Sequence, residues 1–138
     1  CVDPAPGRVR ICHRRAKGWP ELRLDLADAH ALPFPDGSFD RVFHVGATNN
    51  YRDPGLALRE MARVARPGTP VVVVDERLDP NGRHGLWHRA TFRAVCFYNP
   101  WPEDPVAAVP KGADHVRDEQ LSRFFYCVTF RMPEGAAA

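Results

Sequence analysis

The fold is decided by residues 39–75, which read FDRVFHVGATNNYRDPGLALREMARVARPGTPVVVVD. The apolar run at residues 39–45 predicts a strand covered on both faces. Asp53 and Pro54 are typical of a helix start, because Asp accepts from free N–H groups and Pro fits the first turn. Four consecutive β-branched residues at 71–74 predict an interior parallel strand. A strand, a helix and a strand at these intervals form a right-handed crossover, which indicates the α/β class.

Weaker patterns predict the elements around this unit. Upstream, we expect a helix over residues 6–17, and then an edge strand at 22–26, where Leu alternates with polar residues. Downstream, we expect a helix over residues 86–97 and a proline-rich loop at 99–110. The apolar stripe of the central helix is predicted to contain Leu58, Met61, Ala62 and Ala65. The apolar side of the later helix is predicted to contain Trp87, Ala90, Ala94 and Phe97.

The chain ends in two predicted strands, residues 115–120 and 124–131. Their connection is only three residues long, so the two strands must run antiparallel. Alternation in the second strand predicts one buried face formed by Phe124, Tyr126, Val128 and Phe130. Residues 132–138 are predicted to be a frayed tail.

Residues 28–40, which read DAHALPFPDGSFD, lie directly before the central unit. Together with that unit they resemble the cofactor-binding core of class I S-adenosylmethionine-dependent methyltransferases, in the branch of the ubiquinone and menaquinone biosynthesis enzymes. The resemblance covers residues 1–131. It implies a partial Rossmann-like fold, with a mostly parallel sheet, helices on both faces and a C-terminal antiparallel hairpin. That hairpin also disfavours a nicotinamide-binding domain, which would continue with parallel units.

The resemblance implies that three residues bind the adenosine part of S-adenosyl-L-methionine. Asp3 matches the acid that accepts hydrogen bonds from the ribose hydroxyls. Asp28 and Ala29 match the pair that recognises adenine through a carboxylate and a backbone N–H. All three follow predicted strands, at the edge where open α/β sheets bind ligands. Judged from the residues alone, the alternative is that Asp3 is a turn residue before Pro4 and that Asp28 is a loop carboxylate at a strand end.

Further along, the resemblance implies contacts near the sulfonium from His44, Val45 and Gly46. Gly46 permits close approach of a ligand to the backbone, and His44 is either a base or a core histidine. The acceptor side is implied to contain Asn49, Asn50 and Tyr51. The two asparagines stand where many relatives have a pair of histidines, and Tyr51 follows them. No residue is assigned as catalytic, because methyl transfer can rely on positioning and desolvation.

The chain departs from the family at its start. It opens at Cys1-Val2-Asp3, which matches the end of the second family strand, so the first strand and its glycine loop are not seen. We therefore expect a C-terminal part of a methyltransferase that acts on a small-molecule acceptor, with an incomplete cofactor site. The alternative is a non-catalytic relative that acts as a binding module. Either would expose strand edges through which the chain could self-associate.

Composition disfavours several other classes of protein. The formal charge of +2 comes from 19 basic and 17 acidic residues spread along 138, without the basic block of a nucleic-acid-binding surface. No apolar run approaches the ~20 residues that span a bilayer. The four cysteines have neither metal-site nor redox-pair spacing, and a reducing cytoplasm is the default expectation. His84 and His88 are four apart but have no further ligand for a metal beside them.

Overall fold

The computed structural model describes residues 1–46, 48–96 and 105–134. Within these ranges the strands are β1 (Val2–Asp3), β2 (Asp25–Leu26), β3 (Val42–Val45), β4 (Pro70–Glu76), β5 (Asp114–Gln120) and β6 (Phe125–Arg131). The α-helices are α1 (Pro6–Arg15), α2 (Pro54–Val64) and α3 (Leu86–Val95). Short 3₁₀ turns occupy Ala16–Gly18, Thr48–Asn50 and Pro105–Ala108. Phe97, the first half of the predicted proline-rich loop and the last four residues lie outside the described residues.

The described strands form two sheets. In the smaller sheet β1 and β2 are parallel. The larger sheet has the order β3-β4-β6-β5, in which β3 and β4 are parallel and β6 is antiparallel to both of its neighbours. The α/β class and the terminal antiparallel hairpin are therefore confirmed. The larger sheet is mixed rather than mostly parallel, because β6 lies between β4 and β5 and contributes two antiparallel pairs.

The predicted crossover unit is confirmed as β3, α2 and β4. The Asp53 side chain caps α2 by accepting a hydrogen bond from the Leu56 N–H at 2.8 Å, and Pro54 occupies the first turn. The buried side of α2 contains Ala57, Leu58, Met61, Ala62 and Val64. Ala57, Leu58, Met61 and Ala62 belong to one core cluster with Val71 and Val73 of β4, so the apolar stripe places α2 on one face of the larger sheet.

The hairpin completes the same core. Tyr126, Val128 and Phe130 of β6 are buried, as the alternation predicts. Packing continues past the end of β6, because Met132 packs against the core and its carbonyl accepts from the Gly68 N–H at 2.7 Å. The core therefore lies between α2 and the strands β4 and β6.

Two predictions about flanking elements are wrong in detail. The edge strand predicted at 22–26 is reduced to Asp25–Leu26, because its partner β1 has only two residues to pair with. Helix α3 leaves Trp87 85% exposed and buries Phe92 instead. Ala90 and Ala94 are exposed as well. The buried side is set by the stacking of Phe92 on Phe124, with ring centroids 6.0 Å apart.

Strand β3 begins at Val42, and one of its edges has no partner strand among the described residues. Phe43 is 78% exposed and Val45 is 68% exposed, so the prediction of a strand covered on both faces is wrong. Among the residues described, β3 pairs only with β4 and β1 pairs only with β2. The expected open strand edges are therefore confirmed, with unpaired backbone groups next to apolar side chains.

Candidate functional site

The carboxyl ends of the parallel strands carry Asp3, Asp28, Gly46 and Asp75. We call the carboxylates of Asp3, Asp28 and Asp75 the rim carboxylates. Tyr51 connects the ends of the two sheets, because its ring lies 5.3 Å from the His30 ring, after β2, and 5.3 Å from the His44 ring, in β3. The strand ends of both sheets therefore form one rim around Tyr51.

Asp28 is an exposed, ionised acceptor at this rim. Its Oδ1 accepts from the backbone N–H of His30 at 2.9 Å and lies 2.6 Å from His30 Nδ1. These hydrogen bonds from His30 lower the pKa of Asp28. The Asp28 side chain is 58% exposed, whereas Ala29 beside it is only 8% exposed and packs in the core.

Asp3 is held at the start of α1. Its Oδ1 accepts from the Ala5 N–H at 2.7 Å and from Arg8 Nε at 3.0 Å. The Asp3 side chain is 32% exposed. The carboxylate is thus fixed in place while part of its surface still faces solvent.

Tyr51 and His44 form a half-buried pair at the centre of the rim. Tyr51 Oη lies 3.4 Å from His44 Nδ1. Burial, with the negative charges of the rim carboxylates, raises the pKa of Tyr51 to about 12. Burial lowers the pKa of His44, although the nearby charge of Asp75 opposes this. At neutral pH Tyr51 is therefore a phenol and His44 a neutral imidazole, whose buried Nε2 has no hydrogen-bond partner among the described residues.

Asp75 fixes the turn that precedes Tyr51. It is 1% exposed, and its carboxylate accepts from the backbone N–H groups of Asn49 at 3.1 Å and Glu76 at 2.8 Å. Burial raises the pKa of Asp75, but its hydrogen bonds outweigh burial and keep the pKa below its usual value. The Asn49 side chain donates to the Glu76 carbonyl at 3.0 Å, whereas Asn50 is exposed. Of the residues predicted to face the acceptor, Asn49 is thus anchored to the end of β4.

Gly46 leaves open space at the end of β3. Its φ of +69° lies in the left-handed region that favours glycine, and its N–H donates to the Val74 carbonyl at 2.8 Å. Among the described residues other than its chain neighbours, no heavy atom lies within 4 Å of the place that a Cβ would take here. The exposed side chain of Val45 lies next to this space in the chain. The backbone here is therefore open to a ligand.

The loop after β2 is fastened to α2 by Glu60 and Arg63, which we call the loop clamp. Glu60 accepts from the Leu32 N–H at 2.8 Å. Arg63 donates to the carbonyls of Phe34 at 2.8 Å and Leu32 at 3.0 Å, and it pairs with Asp36 at 2.6 Å. Sequence analysis missed this clamp. Its signal, an acid and an arginine three residues apart on a helix, is equally typical of an ordinary surface pair.

Metal sites, disulfide bonds and membrane-spanning helices are considered next, for residues 1–46, 48–96 and 105–134. This part of the chain contains no group of three or more His, Cys, Asp or Glu side chains that could hold a metal ion. The His84 and His88 rings lie 6.3 Å apart, and His84 Nε2 is 2.6 Å from the Asp79 carbonyl. All four cysteines are free thiols. The helices in these ranges are too short or too polar to cross a bilayer.

Known proteins are similar to this chain in sequence. The family described as methyltransferase domain matches residues 1–73. Demethylmenaquinone methyltransferase of Thermus thermophilus is 42% identical over 95 residues, which cover 68% of this chain and 43% of that protein. The 2-methyl-6-phytyl-1,4-hydroquinone methyltransferase of Synechocystis is 33% identical over 96 residues, which cover 68% of this chain and 30% of that protein. The chain thus spans less than half the length of these curated relatives.

Solved structures share the fold at lower identity. A SAM-dependent methyltransferase from Aquifex aeolicus superposes with a TM-score of 0.62 at 14% identity, covering 95% of this chain and 66% of that one. A geranyl diphosphate methyltransferase in complex with SAM superposes with a TM-score of 0.67 at 14% identity, covering 94% and 66%. The family match over more than half of the sequence decides the assignment. The chain therefore belongs to the methyltransferase domain family, within the class I S-adenosylmethionine-dependent methyltransferases.

Proposed function

We propose that this protein transfers a methyl group from S-adenosylmethionine to a small-molecule acceptor. The observation that carries the proposal is the single rim on which Asp3, Asp28 and Gly46 lie around Tyr51, in a chain of this family. Ligands of open α/β sheets bind at this edge of the sheet. We also propose an aromatic or lipid-like acceptor, because two curated relatives are named for quinone-type acceptors.

The rim residues fit the adenosine half of S-adenosylmethionine. We assign Asp3 to the ribose hydroxyls, and the Asp28 carboxylate with the Ala29 N–H to adenine. Both carboxylates are partly exposed, and an ionised carboxylate accepts from the donors that hydroxyls and an exocyclic amine present. Fewer groups are present to bind the methionine half, because the ten glycines include no GxG pair of the kind found in a glycine loop. We therefore propose that the chain by itself holds the cofactor weakly.

Near the reacting centre we assign His44, Val45 and Gly46 to the cofactor side. S-adenosylmethionine, when bound, supplies an electrophilic methyl group on a positively charged sulfur. The open space at Gly46 allows the backbone to approach that group. His44 Nδ1 lies 3.4 Å from Tyr51 Oη, so the neutral imidazole helps to fix the position of that hydroxyl beside the reacting centre.

On the acceptor side we assign Asn49, Asn50 and Tyr51. Tyr51 stays protonated at neutral pH because its pKa is raised to about 12, so its hydroxyl orients the acceptor and does not act as a base. Asn49 fixes the turn that carries Tyr51, and exposed Asn50 is available for a polar contact. These residues position an acceptor, which is the main requirement of an in-line methyl transfer.

The second candidate function is a non-catalytic binding module. The observation that favours it is the unpaired edge of β3, beside which the side chains of Phe43 and Val45 are 78% and 68% exposed. Such an edge can pair with a strand of another chain or of a second copy. A cytoplasmic location stays a prediction, made as the default for a chain whose sequence shows no metal-site or redox-pair pattern of cysteines.

The first prediction tests cofactor binding by NMR. We expect S-adenosylhomocysteine to cause saturable shifts of the backbone amides along the rim, with a Kd weaker than about 100 μM, because mainly the adenosine half is bound. Asp28→Asn should weaken binding by about 1–3 kcal/mol, since it removes a charged acceptor.

The matched control is Asp40→Asn, because Asp40 is 74% exposed and pairs with Arg66 away from the rim. This variant should bind as the wild type does. If no saturable shifts occur along the rim, the methyl-transfer proposal is wrong and the binding module is favoured. A micromolar Kd would instead contradict the weak-binding expectation.

A further inference from the structure

His30 is a nearly buried side chain between the two sheets that the family resemblance leaves without a role. Its side chain is 10% exposed. Its Nδ1 lies 2.6 Å from Asp28 Oδ1, in the loop after β2. Its Nε2 accepts a hydrogen bond at 3.3 Å from the backbone N–H of Asp53, the N-cap residue of α2. One imidazole therefore connects the candidate adenine acid to the start of a core helix.

The two contacts together select one form of the ring. A backbone N–H can only donate, so His30 Nε2 must accept and cannot carry a proton. In the neutral ring the proton then lies on Nδ1, which donates to the Asp28 carboxylate. If both nitrogens carried a proton, the Nε2–H and the Asp53 N–H would be two donors facing each other. The geometry thus fits the neutral Nδ1–H tautomer.

The surroundings restrict how the ring and the carboxylate can move. The Tyr51 ring packs edge-on against the imidazole, with centroids 5.3 Å apart and an interplanar angle of 70°. Oδ1 of Asp28 accepts from both the backbone N–H and the side chain of His30. With Oδ1 engaged in this way, Oδ2 is the oxygen left to accept from a ligand donor. The Asp28 carboxylate is thereby held as an oriented acceptor, even though it is more than half exposed.

We propose that His30 is the positioning residue that makes this site selective for a base with an exocyclic amine, that is, for adenine over hypoxanthine. The inference rests on the proposed function, because it concerns the same cofactor site. An oriented carboxylate accepts from the amine of adenine and repels the carbonyl oxygen of hypoxanthine at the same position. A carboxylate free to rotate discriminates less well between them, because it can turn away from the repulsive group.

The second prediction compares variants that keep different halves of the imidazole. His30→Asn keeps a donor near the position of Nδ1, and His30→Gln keeps a polar group near the position of Nε2. The measurement is the ratio of the Kd values for S-inosylhomocysteine and S-adenosylhomocysteine. We expect the ratio to fall at least about tenfold in His30→Gln and in His30→Ala, the size expected for one lost charged hydrogen bond. We expect it to stay near the wild-type value in His30→Asn and in the exposed control His13→Asn.

A purely structural role of His30 predicts a different result. Loss of packing alone would weaken both ligands equally and leave the ratio unchanged, and that result in a folded His30→Gln would overturn the inference. Thermal melts identify the variants that fold. His30→Asn and His30→Gln are close in size and polarity, so a difference in ratio between them reports the Nδ1 donor.

A second measurement needs no ligand. Long-range ¹H–¹⁵N NMR of the free protein should show the His30 proton on Nδ1. A proton on Nε2 would overturn the inference and leave the methyl-transfer proposal intact. A wild-type chain that binds neither nucleoside, with the proton on Nδ1, would overturn the proposed function and the selectivity that depends on it.

Discussion

Asp75 influences the protonation of its neighbours well beyond its own hydrogen bonds. Burial raises the pKa of Cys96 to about 11, and the charges of Glu76 and Asp75 add to the effect. Burial and the charge of Asp75 likewise raise the pKa values of Tyr51 and Tyr126. All three groups are therefore protonated at neutral pH. None of these three groups therefore supplies a thiolate or phenolate nucleophile at this end of β4.

The third prediction concerns Asp75→Asn. The substitution keeps the shape of the side chain but replaces one acceptor oxygen with an NH₂ group, next to two backbone N–H donors. We expect a loss of about 1–3 kcal/mol in the free energy of unfolding, because a buried donor is left unsatisfied. Urea unfolding at pH 7 measures it, with exposed Asp114→Asn as the control.

The same variant has a predicted dependence on pH. Because the pKa of Asp75 is lowered on folding, its ionised form stabilises the protein above its unfolded pKa of about 3.9. That stabilisation is lost as the pH falls through the folded pKa. The difference between wild type and Asp75→Asn should therefore be complete at pH 7 and shrink below about pH 4. A difference that stays constant down to pH 3 would contradict the ionised state of Asp75.

At the scale of single residues, sequence reasoning could place the rim acids but not the groups that orient them. Asp3, Asp28 and Asp75 each follow a recognisable strand, so their position at one edge of the sheet follows from the fold class. The role of His30 depends on a contact with Asp53, which is 23 residues away in sequence. A contact of this kind leaves no periodic pattern in the sequence.

Among the elements, the loop clamp determines how firmly the loop after β2 is held. Glu60 is 18% exposed and Arg63 is 25% exposed, so the pair is better shielded than a surface ion pair. The hydrogen bond from Arg63 is the main cause of the lowered pKa of Glu60. Because Arg63 also donates to two loop carbonyls, α2 and this loop form one unit.

The fourth prediction is that Glu60→Gln loosens the loop without unfolding α2. We expect a loss of about 1–2 kcal/mol in the free energy of unfolding, since a charged acceptor becomes a neutral one. Hydrogen exchange of the Leu32 N–H, which Glu60 accepts, should become faster. Glu119→Gln on β5 is the exposed control and should change neither quantity. Unchanged exchange at Leu32 would mean that the clamp does not hold the loop.

The elements that the sequence predicted well are those with local determinants. The cap at Asp53, the stripe on α2 and the branched run in β4 lie within one unit, so their pattern records their burial. The strand predicted at 22–26 is short because its partner β1 has only two residues. The buried side of α3 depends on the contact between Phe92 and Phe124. Both of those factors lie far away in the chain, and local periodicity does not report them.

For the whole molecule, the fifth prediction is self-association through the unpaired edge of β3. We expect sedimentation velocity to show species that grow with protein concentration, because unpaired backbone groups lie beside exposed Phe43 and Val45. The double variant Phe43→Ser and Val45→Thr should shift the distribution toward monomer. Leu121→Ser, which removes an apolar side chain 55% exposed on the hairpin, should not. A wild-type monomer at all concentrations would contradict this prediction.

The position of β6 in the larger sheet also has a consequence for synthesis on the ribosome. Strand β4 ends at Glu76, but its antiparallel partner β6 ends at Arg131, ~55 residues later in the chain. At roughly 5–20 residues per second, about 3–11 seconds pass between the emergence of the two strands. During that interval the branched residues of β4 have β3 on one side and no partner on the other. The nascent chain is therefore the stage at which this molecule most needs protection by a chaperone.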